Sequence, residues 1–546
     1  MGHDRFICHG RHYRLQQPSR FDRLRLLRAL RPDQKPLSKS ICRTTAGGRA
    51  AMQQVGQKWL GPMRRRLTGA DADVQAKDGL VTFSVIWALA LVFSVVSHYD
   101  HLNLSKGIRI ALIEYGVLAL CVAVILKPRR LSILALLSAL MAAQYVYRLP
   151  VASNNQTIAF FMNLSIVLVV SATWLKQEDR KKARDEAYER LRIVARLLLA
   201  TMYFYGIFHK INSDFLDPEA SCAVALYKPL THLFYLEDNL LGRYGSIAAT
   251  FVVETITLVC LFWRRYFAFG LIIGLVFHYI IPISGFSWYM DFSCLVFALY
   301  TLSVPREVSV AVYTRARRVL ERLPVPSSSA GAAALILFGL AFLGAAIAVS
   351  AFRSYARGAE INDMMAWHSA WIVIWAVAGG IMMVLLTWAA LEALPYRPVK
   401  SPKKPLWVYA IPATLFVSCL SPYFGLKTES SIAMFSNLHT EQGQTNHLLF
   451  SRPPYLADYQ REVATLTASS SKGLQNMADR KLGIVRFELE RWMKKNPGEW
   501  VSFSLNGRQF ERVNAASFPV QEANLLERRL LIFKPVDVTR PKVCTH

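Results

Sequence analysis

Residues 192–216 read RIVARLLLATMYFYGIFHKINSDFL, an apolar run that stops abruptly at His209-Lys210-Ile211-Asn212-Ser213-Asp214. Its length decides the fold class. About 20 predominantly apolar residues in a helix cross the hydrocarbon core of a bilayer, and windows of that kind recur along the chain. Positions 81–97, 108–126, 131–147 and 157–175 precede this one. Positions 244–263, 266–282, 286–304, 331–350, 370–391 and 406–422 follow it. Of the 546 residues, 53% are hydrophobic and 18% charged, whereas soluble domains average about 25% charged. The expected fold is an all-α polytopic membrane protein with about eleven transmembrane helices and a small C-terminal exterior α+β domain.

Charge supplies the orientation. The chain carries 64 Lys and Arg against 37 Asp and Glu, a net charge of +27. In a soluble protein this would point to nucleic acid; in a polytopic one, basic residues in short loops mark the cytoplasmic side. Arg64-Arg65-Arg66 precede the first window, and Lys127, Arg129 and Arg130 follow the second. Lys176, Arg180, Lys181, Lys182 and Arg184 follow the fourth, within a mixed-charge stretch at 178–192 that reads as a solvated helix. Arg264 and Arg265 follow the sixth, Arg306 to Arg322 the eighth, and Arg397 to Lys404 the tenth. The N terminus is therefore expected in the cytoplasm and the last segment outside, with membrane lipids as partners and no nucleic acid.

The expected division is a basic tail at 1–78, a first transmembrane unit at 79–305, three further spans at 306–422, and the exterior domain at 423–546. The tail lacks an apolar stripe and a signal-peptide core; it is expected to be disordered, or to precede a true start nearer Met52 or Met63. In the exterior segment, 456–495 has helical spacing. Residues 500–505 alternate as a strand before the Asn506-Gly507 turn, and 530–533 reads as a further strand. His439 and His447 are expected at the surface, or over a cavity mouth. Eight dispersed cysteines show no metal-ligand spacing, so no metal is expected. A disulfide between two of Cys222, Cys419 and Cys544 is allowed outside the cell. Signatures of nucleotide-binding, zinc-protease and serine-hydrolase sites are absent.

Ionisable groups at membrane depth are costly and raise a functional hypothesis. Glu114, Glu254, His278 and Asp291 qualify. With His209 and Lys210, the Asn154-Asn155-Gln156 loop and Ser287, all but Glu114 are expected to reach one outward-facing cavity. Each also has an ordinary explanation. Lys210 can snorkel to the interface, Glu254 can pair with His278 or an Arg to fix packing, and a lone His278 fits a satisfied core.

The stretch Gly206-Ile207-Phe208-His209-Lys210-Ile211-Asn212-Ser213-Asp214-Phe215 resembles the segment of vitamin K-dependent γ-carboxylases that carries their catalytic lysine. Phe277-His278 with Phe286-Ser287 resembles a later element of the same fold, and Asn154-Asn155-Gln156 resembles an Asn-Asn-His loop. The wider group is the HTTM (horizontally transferred transmembrane) family, and the match covers about residues 80–305. The resemblance implies Lys210 as a base acting on an isoprenoid, vitamin K-like quinone at the outer face, with His209, His278 and Asp214 assisting. Asn154, Asn155, Gln156, Glu254, Ser287 and Asp291 would bind substrate. Gln156 stands where the family has histidine, and no carboxylase-like substrate-binding region follows residue 305, which argues against carboxylation of peptide glutamate. Three classes stay open: a carboxylase-like, lyase or oxidoreductase membrane enzyme acting on a quinone, lipid or exported polypeptide; a non-catalytic interaction or assembly protein; and a proton-coupled transporter relaying through Glu254 and His278.

Overall fold

The computed structural model describes residues 78–97, 102, 108–176, 179–234, 237–283, 289–322, 363–394, 404–520, 522–537 and 544. All of these belong to the compact unit Val55–His546. The expected tail up to residue 77, the window at 331–350 and Phe286-Ser287 lie outside the described residues.

Helices α1 Gly79–Ser97, α2 Ile108–Leu126, α3 Leu131–Arg148, α4 Asn154–Lys176 and α5 Arg180–Phe208 come first. The short α6 Ser213–Leu216 and α7 Cys222–Phe234 lead to α8 Leu240–Phe262 and α9 Phe267–Ile283. Then follow α10 Met290–Ser303, α11 Arg306–Arg322, α12 Asp363–Glu392 and α13 Trp407–Ser418. Among the described residues, eight helices are long and apolar enough to cross a membrane. The chain is a multi-pass membrane protein.

Three elements depart from the expected spans, each for a local reason. The mixed-charge stretch at 178–192 is not a separate solvated helix but the first half of α5, capped by Asp179, whose carboxylate accepts from the Lys181 and Lys182 amides. The resulting 29 residues make a rod about 43 Å long, longer than a bilayer core of about 30 Å. The window at 286–304 becomes the short α10, buried on every side. It turns through 117° into the basic helix that follows. Pro305 sits at that corner, and Val304 before it is extended, as steric clash with a proline ring requires. The last window shortens to 12 residues in α13, which contains Pro412.

Helices α8 and α9 approach closely because Gly270 and Gly274 share one face of α9. A Cβ at Gly270 would collide with that of Cys260 on α8, and one at Gly274 would crowd Thr257 on α8 and collide with the Tyr300 hydroxyl on α10. Small residues four apart permit such contact between membrane helices.

The C-terminal region contains an antiparallel sheet. Its strands are β1 Val463–Ser469, β2 Leu482–Val485, β3 Trp500–Leu505, β4 Arg508–Asn514 and β5 Val536–Asp537, in the order β4-β3-β1-β2-β5. Helices α14 Lys472–Asp479 and α15 Arg486–Lys495 join β1 to β2 and β2 to β3. Leu466, Ile484, Leu489, Met493 and Phe503 form its core. The hairpin at Asn506-Gly507 forms as expected, both residues having positive φ (51° and 78°). The helical expectation at 456–495 is half right. Val463, Thr465 and Thr467 put β-branched residues at period two, which favours a strand. The strand expected at 530–533 is absent: α16 Leu525–Leu530, closed by an Asn524/Glu527 capping box, ends there. The Ile532 carbonyl accepts from the amides of Thr428 and Glu429 instead of joining the sheet.

This region packs on one end of the helical bundle. It meets the C-terminal ends of α3 and α5 and the N-terminal end of α4. The Arg529 guanidinium donates to the carbonyls of Tyr147 and Leu149. The Leu448 amide donates to Ile211, and the Ser213 amide to Asn446. A disulfide joins Cys222 to Cys544, and Cys419 is a free, buried thiol.

Candidate functional site

The apolar run quoted at the outset ends where α5 meets this C-terminal region, and its polar residues separate by task. Lys210 turns inward. Its ammonium donates to both carboxylate oxygens of Glu254 on α8, at 2.6 and 2.9 Å, with side-chain exposures of only 7% and 8%. Gly206, one turn before Lys210, leaves the space the carboxylate occupies: a Cβ there would stand 3.3 Å from Glu254 Oε2. The ammonium also lies 5.9 Å from the centre of the Phe215 ring.

Lys210, Glu254 and His278 line one cavity with Phe215, Phe277 and Phe292. His278 Nε2 is 3.0 Å from the Tyr203 hydroxyl, which is 2.8 Å from that of Tyr300. His278 is 2% exposed, and its Nδ1 has no hydrogen-bond partner among the described residues. The cavity holds about 60 Å³ and is roofed by Ile432, Met434 and Phe435 from the C-terminal region. Ile432 and Phe435 have φ of 57° and 51°. Such values are strained, most of all for a β-branched residue.

The single shared cavity expected from the sequence is not what the fold builds. Asn155, Gln156 and Asp291 line a second cavity with Glu114, Gln144 and Arg148. Helix α10 divides the two: Asp291 faces one and its neighbour Phe292 the other. Within the second, Gln144 Nε2 donates to Glu114 at 2.6 Å, and Asn155 donates to Asp291. The Asn154–Gln156 triplet is not a loop but the first turn of α4. Gln156 Oε1 accepts from the Ser153 amide at 3.2 Å, the returning half of a capping box. Asn154 is held by the C-terminal region, donating to Glu429 at 2.9 Å and accepting from the Ile432 amide at 2.6 Å.

His209 does not reach the cavity. Its Nε2 donates to the Ser431 carbonyl at 3.2 Å, so its Nδ1, 2.9 Å from the Tyr423 hydroxyl, is the acceptor. Asp214 accepts from the Ser213 hydroxyl at 2.9 Å and is not part of the lining. Ser287 lies outside the described residues. His439 and His447 are both buried, not on the surface. His439 Nδ1 is 2.7 Å from Glu441. Burial alone would raise the Glu441 carboxyl, but His439 and Lys534 outweigh it and hold the carboxyl at about 2. His447 Nε2 donates to the Phe208 carbonyl at 2.8 Å, which ties it to the end of α5.

Tyr203, Tyr300 and the roof residues are additions that the sequence did not single out. Asn212 is another: its Oδ1 caps α6 through the Phe215 amide at 2.8 Å, and its amide nitrogen donates to the carbonyls of His209 and Ser436 at 2.7 and 2.6 Å. Asparagine before a serine and an aspartate is an N-cap signal, so this role was readable. No protein-family model, curated protein or solved structure matches the chain.

Proposed function

We propose that this protein is an integral-membrane enzyme of the HTTM type, similar to the vitamin K-dependent γ-carboxylases, in which Lys210 moves a proton to or from a membrane-soluble substrate such as an isoprenoid quinone. The supporting observation is the bidentate Lys210–Glu254 pair on the wall of a largely apolar cavity. For the lysine to act as a base, its ammonium first passes a proton to Glu254, leaving an amine beside a carboxylic acid. The amine then takes the proton of a substrate hydroxyl, and the restored ammonium faces the new anion. His278, whose Nδ1 has no partner among the described residues, stands ready to accept a hydrogen bond from, or donate one to, the same substrate. Carboxylation of peptide glutamate is outside this proposal: Gln156, standing where the carboxylases have histidine, cannot shuttle a proton, and its oxygen is used in capping α4.

At about 60 Å³ the cavity is smaller than the roughly 300–1,000 Å³ of small-molecule sites. Substrate entry therefore requires the strained 432–435 roof to shift. Purified protein extracted with organic solvent is expected to yield a prenylated quinone at near-stoichiometric amounts by mass spectrometry. Protein that yields none, and that fails to bind an added short-chain naphthoquinone, overturns the proposal in favour of a purely structural ion pair.

The N terminus is proposed to be cytoplasmic and residues 423–546 extracytoplasmic. Two independent observations support this orientation. A disulfide persists in oxidising compartments, and Cys222–Cys544 lies at the bundle end that carries the C-terminal region. Lys176, Arg180 and Lys181 lie at the other end of α4 and α5, as the positive-inside rule requires. A compartment-sensitive reporter fused after residue 440 is expected to report the exterior; a cytoplasmic signal reverses the orientation and the outer-face site with it.

A further inference from the structure

Neither cavity accounts for a larger groove at this end of the bundle. The groove holds about 580 Å³, within the range of sites that bury a small molecule or chain. One wall is made by membrane-spanning helices, with Tyr145 and Tyr147 of α3 and Phe160 and Phe161 of α4. The opposite wall is α16, whose Leu525, Leu526 and Leu530 are 64%, 68% and 52% exposed. Leucines so exposed on a helix beside the ends of membrane spans suit the acyl boundary of a bilayer. Two cations, Lys427 and Arg529, complete the lining, which contains no carboxylate.

We infer that this groove holds an acyl chain of an anionic phospholipid, with the phosphate held by Lys427 and Arg529. Because α3 and α4 are candidate membrane spans, a lipid tail can reach the groove laterally from the bilayer. Arg529 spends one nitrogen, Nη1, on the carbonyls of Tyr147 and Leu149 at 3.2 and 3.1 Å. These bonds hold the planar guanidinium at the end of α3, and its other donors remain for a phosphate oxygen. Lys427 gives one proton to the Ser430 carbonyl at 3.1 Å and keeps two. Burial pulls its ammonium below the ordinary lysine range although Glu429, outside the lining, acts the other way, a cost that a phosphate in the groove would offset further. Aromatic side chains at this level match the headgroup boundary. The lining has no carboxylate to pair with the ammonium group of a zwitterionic choline lipid, so the groove favours the anionic headgroup.

The test places the full chain in nanodiscs of equal phosphatidylglycerol and phosphatidylcholine, removes loosely held lipid, and identifies what remains by native mass spectrometry. Phosphatidylglycerol is expected to be retained at least about fivefold over phosphatidylcholine, and Lys427→Met to lower that preference about fivefold, from about 1 kcal/mol per basic residue near a lipid phosphate. Arg529→Gln tests the second cation but also weakens the docking of α16. Leu526→Glu therefore provides the decisive variant, because it places a carboxylate on an exposed position in the groove without touching a core residue. It is expected to abolish the preference while the melting temperature stays unchanged. Equal retention of the two lipids by the unmodified chain overturns the inference, as does a preference that survives both Lys427→Met and Leu526→Glu.

Discussion

Replacing Lys210 with methionine is expected to destabilise the folded protein by about 3–5 kcal/mol, because removing one partner of a buried pair strands the other charge. Glu254 is 6% exposed, and both of its oxygens are bonded to the one ammonium. Adding Glu254→Leu to the methionine variant is expected to recover most of the loss, since an apolar pair of similar volume leaves no charge stranded. Unfolding by SDS titration in mixed micelles measures both changes. A single variant as stable as the unmodified protein would mean that water solvates Glu254. Lys210→Arg separates fold from chemistry. Arginine keeps the charge and the paired geometry with a carboxylate, but it is effectively never deprotonated. The arginine variant is expected to fold and yet to lose about 100- to 10,000-fold in turnover, the contribution typical of a general base. Full activity with arginine removes Lys210 from the proton transfer and leaves it as a helix tie.

Asn212→Leu is expected to cost about 3–5 kcal/mol. Asn212 is wholly buried, and the substitution leaves the carbonyls of His209 and Ser436 and the amide of Phe215 without the partners they have now. Each buried polar group left unsatisfied costs about 1–3 kcal/mol. Asn212→Asp keeps the acceptor for Phe215 but sets a buried carboxylate oxygen against the carbonyls of His209 and Ser436, so its cost is expected to be at least as large. The leucine variant is also expected to loosen the 436–447 segment from the end of α5, seen as faster protease cleavage there. Equal cleavage of the two forms would show that the His447–Phe208 and Ser213–Asn446 bonds hold that segment without help.

How much of this was legible depends on the range of the forces involved. Spans such as α2 and α4 are long apolar runs read against one solvent, so their positions follow from local hydropathy. Pro305 breaks α10 by a steric rule that is equally local, although the direction of the 117° turn is set by packing. The Asn506-Gly507 turn announced itself because both positions need positive φ. The Lys210–Glu254 pair was half legible. Each residue stood out as a charge at membrane depth, but the sequence offered His278 or an arginine as partners for Glu254. The selection was made by Gly206, which opens the space beside α8. Asn154 and Gln156 misled for a different reason. Amides are suited equally to binding a substrate, capping a helix and pinning a loop, and only the positions of Ser153, Glu429 and Ile432 decide among these. The roof over the cavity was invisible. Nothing in the composition of residues 430–437 signals a strained backbone that comes back to lie on α5 and α4.

That roof has a consequence for how the protein is made. His209 finds its carbonyl partner Ser431 only 222 residues later. At about 5–20 residues per second, a ribosome needs roughly 10–45 s to cover that interval. Once Glu254 has followed Lys210 into the membrane, the pair stays open for the rest of it on the side where Ile432 and Phe435 will lie. The newborn chain therefore passes through an uncapped stage in which any amphiphile in the bilayer has access to the ammonium–carboxylate pair. Whatever the mature cavity contains has its easiest chance to enter before translation ends.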